Sequence, residues 1–172
     1  MADASSHDTI RAEFIEKTGL FSQAEGLPRI AGRVLGLLIY DGDVVPFGEL
    51  AVKLQVSRAS ISTSVRLLEE RGLVKRVNKP GERQSFFQLA PDPYGTMLKV
   101  VQQRNRSFQA EIAETIESLP KDADAQGRLK AYYDFYASIG AAISVALTEV
   151  NKPEVLEAGQ QPATLKGFKD DE

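Results

Sequence analysis

The chain has 172 residues, 42% of them hydrophobic, with 21 Lys/Arg against 24 Asp/Glu and a formal net charge of −3. That is enough apolar chain for one folded domain plus an appendage, and no run of about 18 apolar residues marks a membrane span. The lack of cysteine excludes a disulfide framework, a thiol redox switch and a zinc ribbon, and the single histidine, His7, argues against a histidine-based metal site within one subunit. The polar, acidic opening MADASSHDTIRAEF is unlike a secretory or transit peptide, so a cytoplasmic location is expected, with His7 in a frayed tail. No nucleophile elbow, phosphate-binding glycine loop or HExxH is present, so neither an enzyme nor a cofactor is expected.

Residues 9–23 read as a helix with Ile10, Phe14, Ile15 and Thr18 on one side and Phe21 near its end. Gly26-Leu27-Pro28 breaks it, and Pro28 opens a second helix that runs to Tyr40. There Ile30, Val34, Leu37 and Leu38 form the apolar face, and Gly32 and Gly36 permit close backbone approach. Arg29 and Arg33 lie one turn apart, placed for a phosphate contact or for a surface salt bridge. Asp41-Gly42-Asp43 ends the helix.

A short helix follows at 47–54, FGELAVKL, and then the three residues Gln55, Val56 and Ser57. Ser57 is a good N-cap for a helix over 58–71, because its hydroxyl can accept from a free N–H of the first turn. At about 100° per residue, Ile61, Val65 and Leu68 form one stripe. The opposite face carries Ala59, Ser62, Thr63, Arg66 and Glu70, and Gly72 suits the helix end. Taken alone, that face reads as a solvated surface with Arg66 paired to Glu70. Its neighbours change the reading. Residues 73–78 and 84–89 are short strands around Pro80-Gly81, and Lys75, Arg76, Lys79 and Arg83 make the hairpin cationic. From Ser57 to Ala90 there are seven Lys/Arg against three Asp/Glu, a balance of +4, which leaves −7 for the remainder.

Helix, tight turn, second helix and basic hairpin is the order of a winged helix-turn-helix, which lays one helix in a DNA groove. Small hydroxyl side chains let a helix approach DNA closely, and an arginine can fork onto guanine. The candidate DNA-binding residues are Ser57, Arg58, Ala59, Ser60, Ser62, Thr63, Arg66, Lys75, Arg76, Lys79 and Arg83. A merely solvated hairpin is the competing reading of the wing.

After Pro91-Asp92-Pro93 a long helix is expected over 94–119, with Met97, Val101, Phe108, Ile112 and Ile116 buried and Arg104 interrupting the stripe. Residues 120–127 are polar and turn-rich. In the last helix Leu129, Tyr132, Tyr136, Ile139, Ile143, Ala146 and Val150 follow spacings of 3, 4, 3, 4, 3 and 4. That is a heptad seam, the pattern of helices packed at a shallow angle. It fits a homodimer, packing against the 94–119 helix, or both. From Asn151 onward a loose tail is expected.

The segments GLPRIAGRVLGLLIY, FGELAVKLQVSRASISTSVRLLEERGLVKRV and GERQSFF resemble the MarR-type winged-helix repressors, most closely the GbsR-type regulators associated with glycine betaine and choline metabolism. The resemblance covers residues 27–94. It implies that the 58–71 helix reads the major groove and that the tip at 79–83 reaches the minor groove or its phosphates, with Glu82-Arg83 bracing the wing. In such a regulator Tyr132, Tyr133 and Tyr136, beside Phe135, invite a quaternary-ammonium ligand, against the plainer reading that the rings only pack.

The fold class expected is mostly α (α+β), a winged helix-turn-helix with flanking helices forming a dimerisation region. The expected segments are a dimer-associated helix at 1–26, the DNA-binding domain at 27–92, a helical dimerisation region at 93–150 and the tail at 151–172. The expected function is a homodimeric transcriptional repressor reading a pseudo-palindromic operator in double-stranded DNA, with a small-molecule effector and no membrane partner. The alternatives are a winged-helix protein-interaction module and an architectural DNA-binding factor without an effector.

Overall fold

In the computed structural model, which describes residues 2–120 and 124–152, helix α1 (Ala2–Ala24) lies along helix α2 (Arg29–Asp41). Glycine sets how closely the two approach. A Cβ on Gly32 would stand 2.5 Å from Ser22 Cβ and 2.9 Å from Gly19 Cα, and one on Gly36 would stand 2.9 Å from Thr18 Cβ. The close approach expected at Gly32 and Gly36 is therefore present.

It also changes which face of α1 is buried. Ile15 and Ser22 are 4% and 5% exposed, whereas Ile10, Phe14 and Phe21 remain 57%, 37% and 66% exposed. Ile15, Thr18 and Ser22 line the contact with Gly32 and Gly36, and Ile10 and Phe21 of the expected stripe stay outside it. His7 departs from expectation too. It lies within α1 rather than in a frayed end, with Nε2 3.2 Å from the Tyr40 hydroxyl.

Helix α2 is the hub of the core, with Ala31, Val34, Leu37 and Leu38 at 0% exposure. Gly42 ends it at φ 69°, donating its N–H to the Leu38 carbonyl. A two-residue strand β1 (Val45–Pro46), helix α3 (Phe47–Leu54), helix α4 (Arg58–Glu70) and strands β2 (Val74–Val77) and β3 (Phe86–Leu89) follow. The sheet is antiparallel in the order β1-β3-β2, with Val45 opposite Phe87 and Val77 opposite Phe86. Strand β1 is too short to leave a period in the sequence, and Pro46 is tolerated because β1 is an edge.

The stripe on α4 docks as its spacing requires: Ile61, Val65 and Leu68 are 0%, 2% and 0% exposed, packed with Leu50 and Leu54 of α3 in one core. Ser57 caps α4, its Oγ accepting from the Ser60 N–H at 3.1 Å. Ser57→Ala removes that acceptor and should lower unfolding free energy by about 1 kcal/mol. Urea titration of the purified protein measures it, and Ser57→Asp should restore the loss.

A second unit starts at Tyr94. Helices α5 (Pro93–Ser118) and α6 (Ala125–Val150) run antiparallel there, because Gln102 bonds Ser144 at 2.9 Å while Asn105 and Gln109 both donate to the Tyr136 carbonyl at 3.0 and 2.9 Å. The expected α5 stripe is only partly right. Ile112 is 5% exposed and Phe108 is half-buried, but Met97 and Val101 are 39% and 49% exposed, and the polar Asn105 is 6% exposed. Polar side chains face α6 because its backbone is reachable at Gly140, where a Cβ would stand 2.9 Å from Asn105 Nδ2. Residues 153–172, most of the expected tail, lie outside the described residues.

Candidate nucleic-acid interface

With its apolar stripe anchored, α4 turns the opposite face outward. Arg58, Ala59, Thr63 and Arg66 are exposed and Ser62 is half-buried. The Thr63 hydroxyl donates back to the Ala59 carbonyl at 3.2 Å, and Ser60 Oγ is 2.8 Å from Ser57 Oγ, so both serine hydroxyls are occupied at the cap. The Arg58 guanidinium lies over the Phe47 ring, 5.3 Å from its centroid. Among the described residues no ion pair joins Arg66 to Glu70, so the pairing weighed for that face is not formed.

The cations of the wing differ in freedom. Lys75 is exposed on β2. Arg76 is tied back to α4: its Nη2 is 2.9 Å and its Nε 3.2 Å from the two carboxylate oxygens of Glu69, and its guanidinium sits 5.4 Å from the Phe87 centroid. That hydrogen bond raises the Arg76 pKa above its ordinary value. Arg76 is thus a strut between wing and helix as well as a cation. At the tip the Glu82 N–H donates to the Lys79 carbonyl at 3.1 Å, with Gly81 at φ 83°, a value that suits glycine. Lys79 Nζ stands 4.4 Å from the Phe86 centroid, and Glu82 and Arg83 are exposed.

Arg29 and Arg33 resolve towards the salt-bridge reading. Both meet Glu16 of α1, Arg29 through Nε at 2.8 Å and through Nη2, Arg33 through Nε at 3.1 Å. Arg33 Nη2 also donates to the Leu54 carbonyl at 2.9 Å. The tight turn expected at Gln55, Val56 and Ser57 is present, but Gln55 adopts φ 53°, which the sequence did not signal. Glycine or asparagine would have marked a left-handed helix end, and glutamine does not.

The aromatic group on α6 is packed ring against ring. Tyr132 and Tyr136 meet at 5.1 Å and 90°, and Phe108 meets them edge-on at 5.9 and 4.9 Å. The Tyr132 hydroxyl, 3.4 Å from that of Tyr136, raises the Tyr136 pKa. A cation cage requires ring faces converging on one volume. Here ring edges meet ring faces, and Tyr133 joins no ring contact among the described residues.

Comparison with known proteins agrees with this geometry. Residues 25–85 match the model of the MarR family. The HTH-type transcriptional regulator MmpR5 of Mycobacterium tuberculosis is 37% identical over 83 residues, 48% of this chain and 50% of that protein, so the chain spans about half the length of this relative. The putative HTH-type transcriptional regulator YvaV of Bacillus subtilis is 26% identical over 140 residues, 72% of this chain and 79% of that protein. A crystal structure of a transcriptional regulator superposes with a TM-score of 0.62 at 28% identity, covering 81% of this chain and 96% of that one.

Proposed function

We propose that the chain is a DNA-binding transcriptional regulator, a homodimeric repressor that reads a pseudo-palindromic operator; the match of residues 25–85 to the MarR family model supports this. Helix α4 enters the major groove, and the wing tip at 79–83 contacts the adjacent minor groove or its phosphates. One observation carries the reading. The face of α4 opposite its buried stripe is small, hydroxylated and arginine-bearing, and it continues into a cationic wing on a protein that is otherwise acidic. A surface built for a protein partner is expected to be apolar or acidic there.

Placement in the GbsR-like branch rests on the sequence resemblance, and with it the proposal of a small quaternary-ammonium effector. Such an effector acts by favouring one spacing of two DNA-reading heads over another.

Titration of fluorescent duplex DNA from the chain's own upstream region, repeated across salt concentrations, tests the reading. Lys79→Ala should weaken all sequences similarly and flatten the log–log salt slope by about 0.9, the contribution of one phosphate contact. Failure to bind any duplex even at low salt would remove the function.

A further inference from the structure

At the turn between α3 and α4, the chain passes through Gln55 in the left-handed region, φ 53° and ψ 46°. A side chain there is under steric strain that glycine would not feel. The turn closes in the usual way for a helix end, with the Gln55 and Val56 N–H groups returning to the Val52 and Ala51 carbonyls. The Leu54 carbonyl is left over, one of the acceptors that a helix end cannot satisfy internally. Its donor comes from outside the motif: Arg33 of α2, through Nη2 at 2.9 Å.

Arg33 is held in turn by α1. Glu16 stands between Arg29 and Arg33, with Oε2 3.1 Å from Arg33 Nε, although Nε is off the line of a hydrogen bond. A second connection runs beside the first. Asp41, at the end of α2, takes Arg11 of α1 in a two-pronged pair at 2.6 Å, and lies 3.7 Å from Lys53 of α3. Two charge relays therefore leave α1, and both end on the last turn of α3. Arg33 and Asp41 are the better shielded members, with side chains 23% and 13% exposed.

We propose that Arg33, steered by Glu16, is a positioning residue for DNA recognition: it fixes the strained turn that presents α4, and so couples α1 to the reading head. The sequence of causes is local. Without Glu16, the long Arg33 side chain loses one of its two anchors and the Leu54 carbonyl is capped only part of the time. The left-handed turn at Gln55 then relaxes, and the first turn of α4, with Arg58 and Ala59, is presented in more than one orientation. A bidentate base contact tolerates little misplacement, whereas a phosphate contact tolerates much. Loss of the relay should therefore reduce discrimination between operator and random DNA more than it reduces binding itself. The DNA readout rests on the proposed function. The turn readout does not.

Two variants and two measurements test this. Glu16→Gln keeps the shape of a half-exposed side chain and removes its charge; Arg33→Lys keeps the charge and removes the fork. Hydrogen exchange of the Gln55 and Val56 amides, which close the turn, should quicken at least fivefold in both variants, whether or not any DNA is bound, with the melting temperature within a few degrees of the parent. Affinity for the operator should fall about tenfold, while affinity for random duplex and the salt slope stay unchanged. Unchanged exchange in Glu16→Gln overturns the relay. Equal losses on operator and random DNA with a flatter salt slope also overturn it, because Arg33 would then be a phosphate contact. If the parent binds no duplex while exchange quickens, the relay at the turn stands and the proposed function fails.

Discussion

Arg66→Ala is expected to lose about 1–3 kcal/mol of binding at the preferred operator and to relax base preference there, while random duplex is bound nearly as before. Arg66 is singled out by what surrounds it. It is the cation in the middle of the outward face of α4, and among the described residues it has no ion pair to break before it can engage a base. Arg76, by contrast, is already committed to Glu69 at 2.9 Å, so its removal should disturb the wing more than the base contacts. A guanidinium forking onto guanine O6 and N7 makes two hydrogen bonds that no other base pair reproduces in the major groove. Adding Arg83→Ala should lower affinity further and flatten the salt slope, since the exposed wing tip meets phosphate or minor groove. Anisotropy titrations on the operator and on a scrambled duplex separate the two effects. A folded Arg66→Ala, Arg83→Ala protein with unaltered operator affinity would sink the assignment of α4 and the wing.

Much of the winged helix was legible because its signals are local and agree with one another. The cap at Ser57, the stripe Ile61, Val65 and Leu68, the stop at Gly72 and the turn at Pro80-Gly81 each fix a few residues without reference to the rest of the chain. The features that escaped depend on contacts distant in sequence. Strand β1 exists because Val45 and Pro46 pair with Phe87 and Phe86, some 40 residues away. For Arg29 and Arg33 the sequence left phosphate contact and salt bridge both open, because their partner Glu16 belongs to another helix. The stripes of α1 and α5 misled for one shared reason. Periodicity marks which apolar residues share a face, but close approach at Gly32 and Gly140 brings Ser22 and Asn105 into contacts that an apolar stripe does not mark. The pairing of Arg76 with Glu69, seven residues apart across a helix end and a strand, likewise has no signature in composition.

The proposed homodimer should dissociate to monomers at micromolar concentration when Phe135 and Val145 are replaced by aspartate. The choice of these residues follows from where the heptad seam lies. Its members Tyr136, Ile139 and Ile143 are half-buried within one chain, on or beside the face where the Tyr136 carbonyl and Ser144 meet α5, so the seam serves intramolecular packing at least in part. Ile143→Asp would therefore injure the hairpin itself. Beside the seam runs a second line, Phe135, Ser138, Ala142 and Val145, at spacings of 3, 4 and 3, and all four are exposed. Phe135 and Val145 keep 55% and 65% of their surface in contact with solvent, as do Ile10, Leu20 and Phe21 of α1 at 57%, 51% and 66%. On α6, Phe135 and Val145 are the side chains a two-fold partner would cover. In a two-fold interface each substitution occurs twice, and each aspartate buried without a partner costs a few kcal/mol. Two positions, doubled by symmetry, exceed what a dimer interface of ordinary affinity supplies. Circular dichroism should stay unchanged, since neither side chain is buried within the monomer. Operator affinity should collapse and the salt slope fall by about half, because one head alone makes half the phosphate contacts. Analytical ultracentrifugation decides the matter: a parent protein that sediments as a monomer at micromolar concentration, free and on its operator, would mean that the exposed line on α6 has some other role and that a single winged helix reads the DNA.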